Sequence, residues 1–166
     1  MISGIYTLND LKKAIATDPN RWRPLVVTNG CFDLIHAGHV RYLQAARQLG
    51  QSLIVGLNSD ASIQIIKPDR IPPRPIVPEL QRAEVLAALR SVDGVVIFSQ
   101  KTACQLVEAL QPEIYAKGGD YNLETLPEAA IVQAYGGQVR LIEIEIPSST
   151  SGIVDRIRSN FPNRTL

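Results

Sequence analysis

Short apolar runs alternate along this chain with longer stretches in which apolar residues recur every three or four positions. Residues 24–28, Pro-Leu-Val-Val-Thr, read as a short buried strand, and residues 52–57 as a second. Runs at 95–98, 114–116 and 139–144 have the same character. Helical spacing is legible over 8–17, where Leu8, Leu11 and Ile15 share a face and Thr7 stands as a cap. It returns over 38–49 with Val40, Leu43, Ala46 and Leu49, and Gly50 ends it. Residues 78–90, entered through a proline, carry Leu80, Ala83, Leu86, Ala87 and Leu89 at the same period. Further helices are predicted at 102–110, at 127–135 before Gly136-Gly137, and at 151–159. Strands apolar on both faces and separated by helices predict a parallel sheet covered on both sides. The expectation is a single three-layer α/β domain over 1–166, a Rossmann-like doubly wound parallel sheet, with 1–23 as a helical N-terminal extension.

One stretch fits neither period. Residues 67–78 contain five prolines and three basic residues, Lys67, Arg70 and Arg74, and cannot continue a helix or a central strand. Two readings stand: a stiff surface connection, or a mobile basic flap beside an anion site.

Composition narrows the function classes. Of 166 residues, 45% are apolar and 20% charged, the balance of a folded soluble protein. Seventeen basic against sixteen acidic residues leave a net charge of +1, so bulk electrostatics gives no case for nucleic acid or membrane binding. Any bound anion must be held by a local site. Cys31 and Cys104 are far apart and form no CxxC pair, which argues against zinc or redox chemistry and for a reducing compartment. No basic-then-apolar leader opens the chain, and no apolar run reaches the ~20 residues that span a bilayer. A cytoplasmic location is expected.

The chemistry concentrates where the first predicted strand ends. Thr28-Asn29-Gly30-Cys31-Phe32-Asp33 leads into His36-Ala37-Gly38-His39 as the next helix begins. In doubly wound sheets, ligands bind beyond the carboxyl ends of the strands. A glycine-containing turn entering a helix offers free backbone N–H groups and the positive end of the helix dipole. Both histidines of the chain lie here, three residues apart, and can face one phosphate. Gly38 leaves room for a close approach to the backbone. Zinc is a competing reading, weakened because Asp33 is the only nearby third ligand and the HExxH spacing is absent.

Residues 28–43, Thr-Asn-Gly-Cys-Phe-Asp-Leu-Ile-His-Ala-Gly-His-Val-Arg-Tyr-Leu, resemble the HxGH signature of the cytidylyltransferase-like nucleotidyltransferases. Further blocks match in order: Asn58-Ser59-Asp60, the basic loop at Lys67, Arg82, Lys117-Gly118-Gly119-Asp120-Tyr121, and Ser148-Ser149-Thr150-Ser151. The Lys117 block, with Arg74-Pro75-Ile76-Val77 and residues 82–86, most resembles the adenylyltransferase domain of bacterial heptose-phosphate enzymes. Those transfer AMP from ATP to D-glycero-β-D-manno-heptose 1-phosphate.

The resemblance implies in-line attack of a phosphate oxygen on the α-phosphorus of ATP, with pyrophosphate leaving and magnesium carried by the ATP. It casts His36, His39, Lys67 and Arg82 as catalytic. His36 and His39 donate to the phosphates, Lys67 closes over them, and Arg82 holds phosphate from the third helix. It assigns nucleotide binding to Asn29, Gly30, Cys31, Phe32, Asp33 and Gly38 of the turn, to Lys117, Gly118 and Asp120, and to Ser149, Thr150 and Ser151. Taken alone, the serine cluster reads equally as helix capping and Asp120 as a turn aspartate. Asp33 is expected to orient the turn through backbone N–H groups, with a touch on magnesium as the lesser option.

Partners implied are ATP and a phosphorylated acceptor, with a possible homodimer, no nucleic acid and no membrane. Pro147-Ser148 in place of a glycine, and a longer stretch at 68–73, depart from the heptose enzymes and leave the acceptor open. So does the absence of a kinase domain, with about two dozen residues ahead of the first strand. The alternatives are CTP with glycerol 3-phosphate or phosphoethanolamine, ATP with FMN, and a non-catalytic nucleotide-binding module.

Overall fold

Valine, isoleucine and leucine fill the strands of this protein, and helices cover them on both faces. The computed structural model describes residues 3–119, 125–143 and 149–160. Within them the strands are β1 (Ile5–Tyr6), β2 (Leu25–Gly30), β3 (Ser52–Asn58), β4 (Gly94–Phe98), β5 (Ile114–Gly118) and β6 (Gln138–Ile142). The helices are α1 (Leu8–Thr17), α2 (Pro19–Trp22), α3 (Ala37–Arg47), α4 (Asp60–Ile66), α5 (Glu79–Ala87), α6 (Cys104–Leu110), α7 (Pro127–Ala134) and α8 (Thr150–Asn160).

The strands form one sheet in the order β1-β4-β3-β2-β5-β6, and every pairing is parallel. From β2 the chain steps outward through β3 to β4, then returns to the other side of β2 for β5 and β6. That reversal puts the switch point between the carboxyl ends of β2 and β5. All seven positions of β3 are buried, as a central parallel strand requires.

The period of two along each strand divides the core. Val27 and Tyr115 face one side, where α1, α6 and α7 bring Leu11, Leu106, Val107 and Val132. Val26 and Ala116 face the other, with Leu43 of α3 and Leu86 of α5. The result is the doubly wound, three-layer α/β fold expected from the alternation.

Three elements were not legible in the pattern. Strand β1 has two residues and pairs Ile5 with Val95, so the N-terminal segment, expected to be helical, also supplies a sheet edge. Helix α2 is one turn, begun by Pro19 and capped by Asp18, whose carboxylate accepts from the Arg21 N–H. Helix α4 has no apolar stripe; Ser59 caps it, and only Ser62 and Ile63 are buried. The predicted strand at 139–144 is seen as Gln138–Ile142, and Ile144 lies outside the described residues. Among the described residues no helix is long and apolar enough to cross a membrane.

Candidate active site

A cleft of roughly 380 Å³ opens where β2 and β5 end. Its first wall is the turn after β2. A Cβ at Gly30 would meet the Phe32 ring at 2.9 Å, so the chain passes there only as glycine. Phe32 itself sits at φ 44°, a left-handed conformation that costs a bulky residue ~1–2 kcal/mol. Burial of its ring, packed against His39 with centroids 5.2 Å apart, offsets that cost.

Asp33 follows and points into the protein. Its Oδ2 accepts from Arg74 Nη1 at 2.7 Å, and its Oδ1 accepts from the backbone N–H groups of Ile76 (2.8 Å) and Val77 (3.0 Å). The expected backbone partners are present, yet they belong to the proline-rich segment rather than to the turn. Both carboxylate oxygens are engaged, which leaves Asp33 poorly placed for a metal ion. Arg74 is buried in that pair.

Arg82 requires a correction of the same kind. Its side chain is fully buried and does not line the cleft. Nε donates to the Val77 carbonyl (2.8 Å), Nη1 to the Cys31 carbonyl (2.6 Å) and Nη2 to Asp60 Oδ1 (2.6 Å). Three segments thus supply acceptors that match the guanidinium fork, and it braces the turn from beneath instead of reaching a phosphate.

The two histidines meet as the motif suggests. His36 is the N-cap of α3 with extended backbone, and Val40 N–H donates to its carbonyl at 3.2 Å. The rings of His36 and His39 stack with centroids 3.8 Å apart. His39 lines the cleft, and His36 lies against it just outside the lining. Both Nδ1 atoms are buried and, among the described residues, make no hydrogen bond, so Nε2 is the ring atom left to reach a ligand. Burial above all, then the neighbouring His36 and Lys67, push His39 down to about 4, against an opposing pull from the Leu34 carbonyl. Burial lowers His36 as well. Near neutral pH both are uncharged imidazoles, each with one N–H to donate. Gly38 is buried between them.

Cations surround the rest. Lys67 ends α4, is exposed, lines the cleft and contacts the Cys31 thiol. Burial raises that thiol despite the pull of Lys67 and Arg82, which keeps Cys31 protonated. Arg70 and Lys101 also line the cleft. Lys117, nearly buried at the end of β5, donates from Nζ to Asn29 Oδ1 at 2.6 Å, and the Tyr115 hydroxyl donates to the same oxygen. Desolvation lowers Lys117, and Glu128 works against it. Once Arg74 and Asp33 neutralise each other, the cleft keeps an excess of positive charge suited to a polyphosphate.

The far wall is the start of α8. Ser149 acts as a cap: its Oγ accepts from Gly152 N–H at 3.0 Å, and it does not line the cleft. Thr150 and Ser151 do. Gly118 closes β5 and Gly119 follows at φ +100°, a conformation that favours glycine. Asp120, Tyr121 and Ser148 lie outside the described residues. Among the described residues no three His, Cys, Asp or Glu side chains form a metal-binding group.

Sequence reasoning passed over Tyr115, Lys101, Thr102 and Glu128. Tyr115 was recoverable, since it shares a strand face with Lys117. Lys101 and Thr102 follow β4 and were open to the rule that ligands gather at carboxyl ends. Glu128 looked like any acidic residue in a first helical turn.

The model of a family described as cytidylyltransferase-like matches residues 27–160. Among curated proteins, the bifunctional protein HldE of Citrifermentans bemidjiense is 46% identical over 159 residues, covering 96% of this chain and 32% of its own length. The bifunctional protein HldE of Syntrophotalea carbinolica is 45% identical with the same coverage. The chain therefore spans about a third of the length of these relatives. Among solved structures, a lipopolysaccharide core biosynthesis protein from Thermoplasma volcanium superposes with a TM-score of 0.58 at 24% identity, over 74% of this chain and 97% of that one. Pantothenate synthetase from Thermus thermophilus gives 0.56 at 15% identity, over 84% and 60%. Both share the fold.

Proposed function

Because this chain belongs to the cytidylyltransferase-like family of nucleotidyltransferases, we propose that it transfers AMP from ATP to a sugar 1-phosphate, D-glycero-β-D-manno-heptose 1-phosphate, and releases pyrophosphate. The observation that carries this reading is the stacked pair of imidazoles at the N-terminus of α3, set beside a cleft lined by Lys67, Arg70, Lys101 and Lys117. The likeness of the Lys117 block, Arg74-Pro75-Ile76-Val77 and residues 82–86 to the heptose-phosphate enzymes supports the preference for this acceptor.

In the proposed reaction an oxygen of the acceptor phosphate attacks the α-phosphorus, and the bond from that phosphorus to the α–β bridging oxygen breaks. Charge grows on the leaving pyrophosphate. His39, with His36 behind it, donates hydrogen bonds to that charge, and the backbone N–H groups of the first turn of α3 add to it. Thr150 and Ser151 hold the far phosphates at the start of α8. Lys67 and Arg70 close over the triphosphate. Magnesium carried with the ATP would supply charge neutralisation at the phosphates, and the Asp33 carboxylate, already engaged by Arg74 and two backbone N–H groups, would not hold it. Arg82 and Arg74 position the turn. No covalent intermediate is required, so the protein's contribution is alignment and charge stabilisation.

Pyrophosphate release across a panel tests the reading. ATP with heptose 1-phosphate should turn over well above CTP with glycerol 3-phosphate or phosphoethanolamine. Robust turnover of either CTP pair would replace the substrate assignment, and no turnover with any pair would leave a binding module.

A further inference from the structure

Strand alternation divides the cleft between the two faces of the sheet. Thr28, whose hydroxyl shares a hydrogen bond with Tyr42 of α3, faces the histidine side. Asn29, the next residue, faces the opposite side, where Tyr115 and Lys117 both donate to its Oδ1. On that side the first turn of α7 presents Glu128, 3% exposed. Its Oε1 accepts from the Ala103 N–H at 2.8 Å, which ties α7 to the start of α6. Thr102, just before that N–H, lines the cleft with it.

Among the described residues two carboxylates line this cleft, and they differ. Asp33 is closed by an arginine and two backbone N–H groups. Glu128 keeps one oxygen uncommitted: among the described residues Oε2 makes no hydrogen bond, although Lys117 attracts its charge, and Nδ2 of Asn29 makes none either. A carboxylate with an uncommitted oxygen repels a triphosphate at close range, so a cation-lined cleft that keeps one has another use for it. Its natural complement is a hydroxyl donor. Lys117 links the two, hydrogen-bonded to Asn29 and attracted by Glu128, and Asn29 Nδ2 offers a donor for a hydroxyl oxygen, so acceptor and donor together suit the hydroxyls of a sugar ring.

Resting on the adenylyltransferase reading above, we propose that Asn29 and Glu128, held by Lys117, Tyr115 and the Ala103 N–H, form the wall that binds the acceptor's hydroxyl groups and selects the acceptor. The ligand class is a polyol monophosphate with at least two adjacent hydroxyls. The triphosphate lies along the starts of α3 and α8. The acceptor enters from the α6–α7 side, and its phosphate is directed toward the histidines. The polar atoms of this wall are pre-paired on their buried sides, so an acceptor without the matching hydroxyls leaves them unsatisfied and is rejected.

The test compares wild type with Glu128→Gln, which retains Oε1 as acceptor for the Ala103 N–H while removing the charge. Pyrophosphate release is measured with heptose 1-phosphate, with ATP, and with a deoxy sugar 1-phosphate lacking one ring hydroxyl. The expected result is an acceptor KM raised about tenfold or more, with the ATP KM within about twofold. The deoxy analogue should be poor for wild type and lose little further in the variant, because the shared interaction is already gone. Thr102→Val, at a half-buried position of the same wall, gives the same KM split if Glu128→Gln does not fold. A raised ATP KM with an unmoved acceptor KM overturns the proposal and assigns the wall to the nucleoside. Unchanged KM values for both substrates, with wild type active on the sugar phosphate, overturn it and leave the activity standing. Wild type inactive on every sugar 1-phosphate overturns the activity and the wall together.

Discussion

One proline-rich segment contains two halves that differ in almost every physical respect. Residues 74–78 are bound down: Arg74 is buried against Asp33, the N–H groups of Ile76 and Val77 share that carboxylate, and the Val77 carbonyl meets Arg82. Residues 67–73 have little of this. Lys67 to Ile71 are all exposed, and Ile71, at 78%, is the most exposed large apolar side chain among the described residues. Arg158 reaches back to the Ile71 carbonyl at 3.3 Å, and Lys67 contacts the Cys31 thiol. Both halves hold prolines and cations, so composition does not separate them. The presence of a buried acceptor for one arginine, and its absence for the others, does. The anchored half belongs to the frame of the cleft, and the open half is, on the proposed function, the part that would meet substrate.

The strongest way to break this contrast is to remove the brace of the anchored half. Arg82→Met strips a fully buried guanidinium from three acceptors and leaves Asp60 without its partner. A loss of about 3–5 kcal/mol in urea unfolding is expected. A variant as stable as wild type would show that the anchored half is held by packing alone.

The next effect lies on the turn that this brace supports. His39→Ala should lower kcat by ~10²–10³ while the KM for ATP changes little, because the donor acts mainly on charge that develops in the transition state. His36→Ala should follow in the same direction. Near-normal pyrophosphate release from His39→Ala would remove the turn from the chemistry.

Lys67 probes the open half. Lys67→Ala should leave the unfolding curve within about 0.5 kcal/mol of wild type, as an exposed position permits. It should still cost roughly tenfold in kcat/KM for ATP. Trypsin sharpens the same point, since proline follows both Lys67 and Arg74 and leaves Arg70–Ile71 as the bond it can cut in this segment. Cleavage there should slow when ATP, magnesium and acceptor are added. Equal rates with and without ligands would return the segment to a stiff surface connection.

The smallest effect concerns pH. His39 has its proton affinity pushed down to about 4 from 6.5 in the unfolded chain. The unfolded state therefore binds the proton more readily between those values. The associated stability is complete above about pH 6.5 and is lost as pH falls toward 4. Because the ring is partly exposed, a cost on the order of 1 kcal/mol is expected, or about 2–4 °C in melting temperature. His39→Gln should flatten that part of the curve, and an unchanged slope would assign it to other groups.

Much of the fold was legible because its strands are buried on both sides and its long helices are periodic; 8–17 was read to the residue. What escaped was short or locally patterned. Strand β1 owes its existence to β4, and no two-residue run announces a pairing. The HxGH turn was legible as a motif because residue types and spacing suffice to mark a helix start that carries both histidines of the chain. Arg82 and Arg74 were visible as residues but not as roles. An arginine that holds phosphate and one that braces a turn have the same letter, and only the three-dimensional supply of acceptors distinguishes them. Lys101 and Glu128 come from elements remote in sequence that meet only once β4 and β5 are seated on opposite sides of the central pair.

The brace under the turn also has a consequence in time. The Asp33–Arg74 contact joins residues 41 apart in sequence, and the Cys31–Arg82 contact joins residues 51 apart. Contacts of that span form after the intervening loop entropy has been overcome, so they come late relative to helices and neighbouring strand pairs. As the chain leaves the ribosome, β2 and the histidines emerge well before the arginines that hold their turn in place. For that interval the nascent chain carries the motif without the site. A kinetic refolding experiment should therefore recover helical signal before it recovers nucleotide binding.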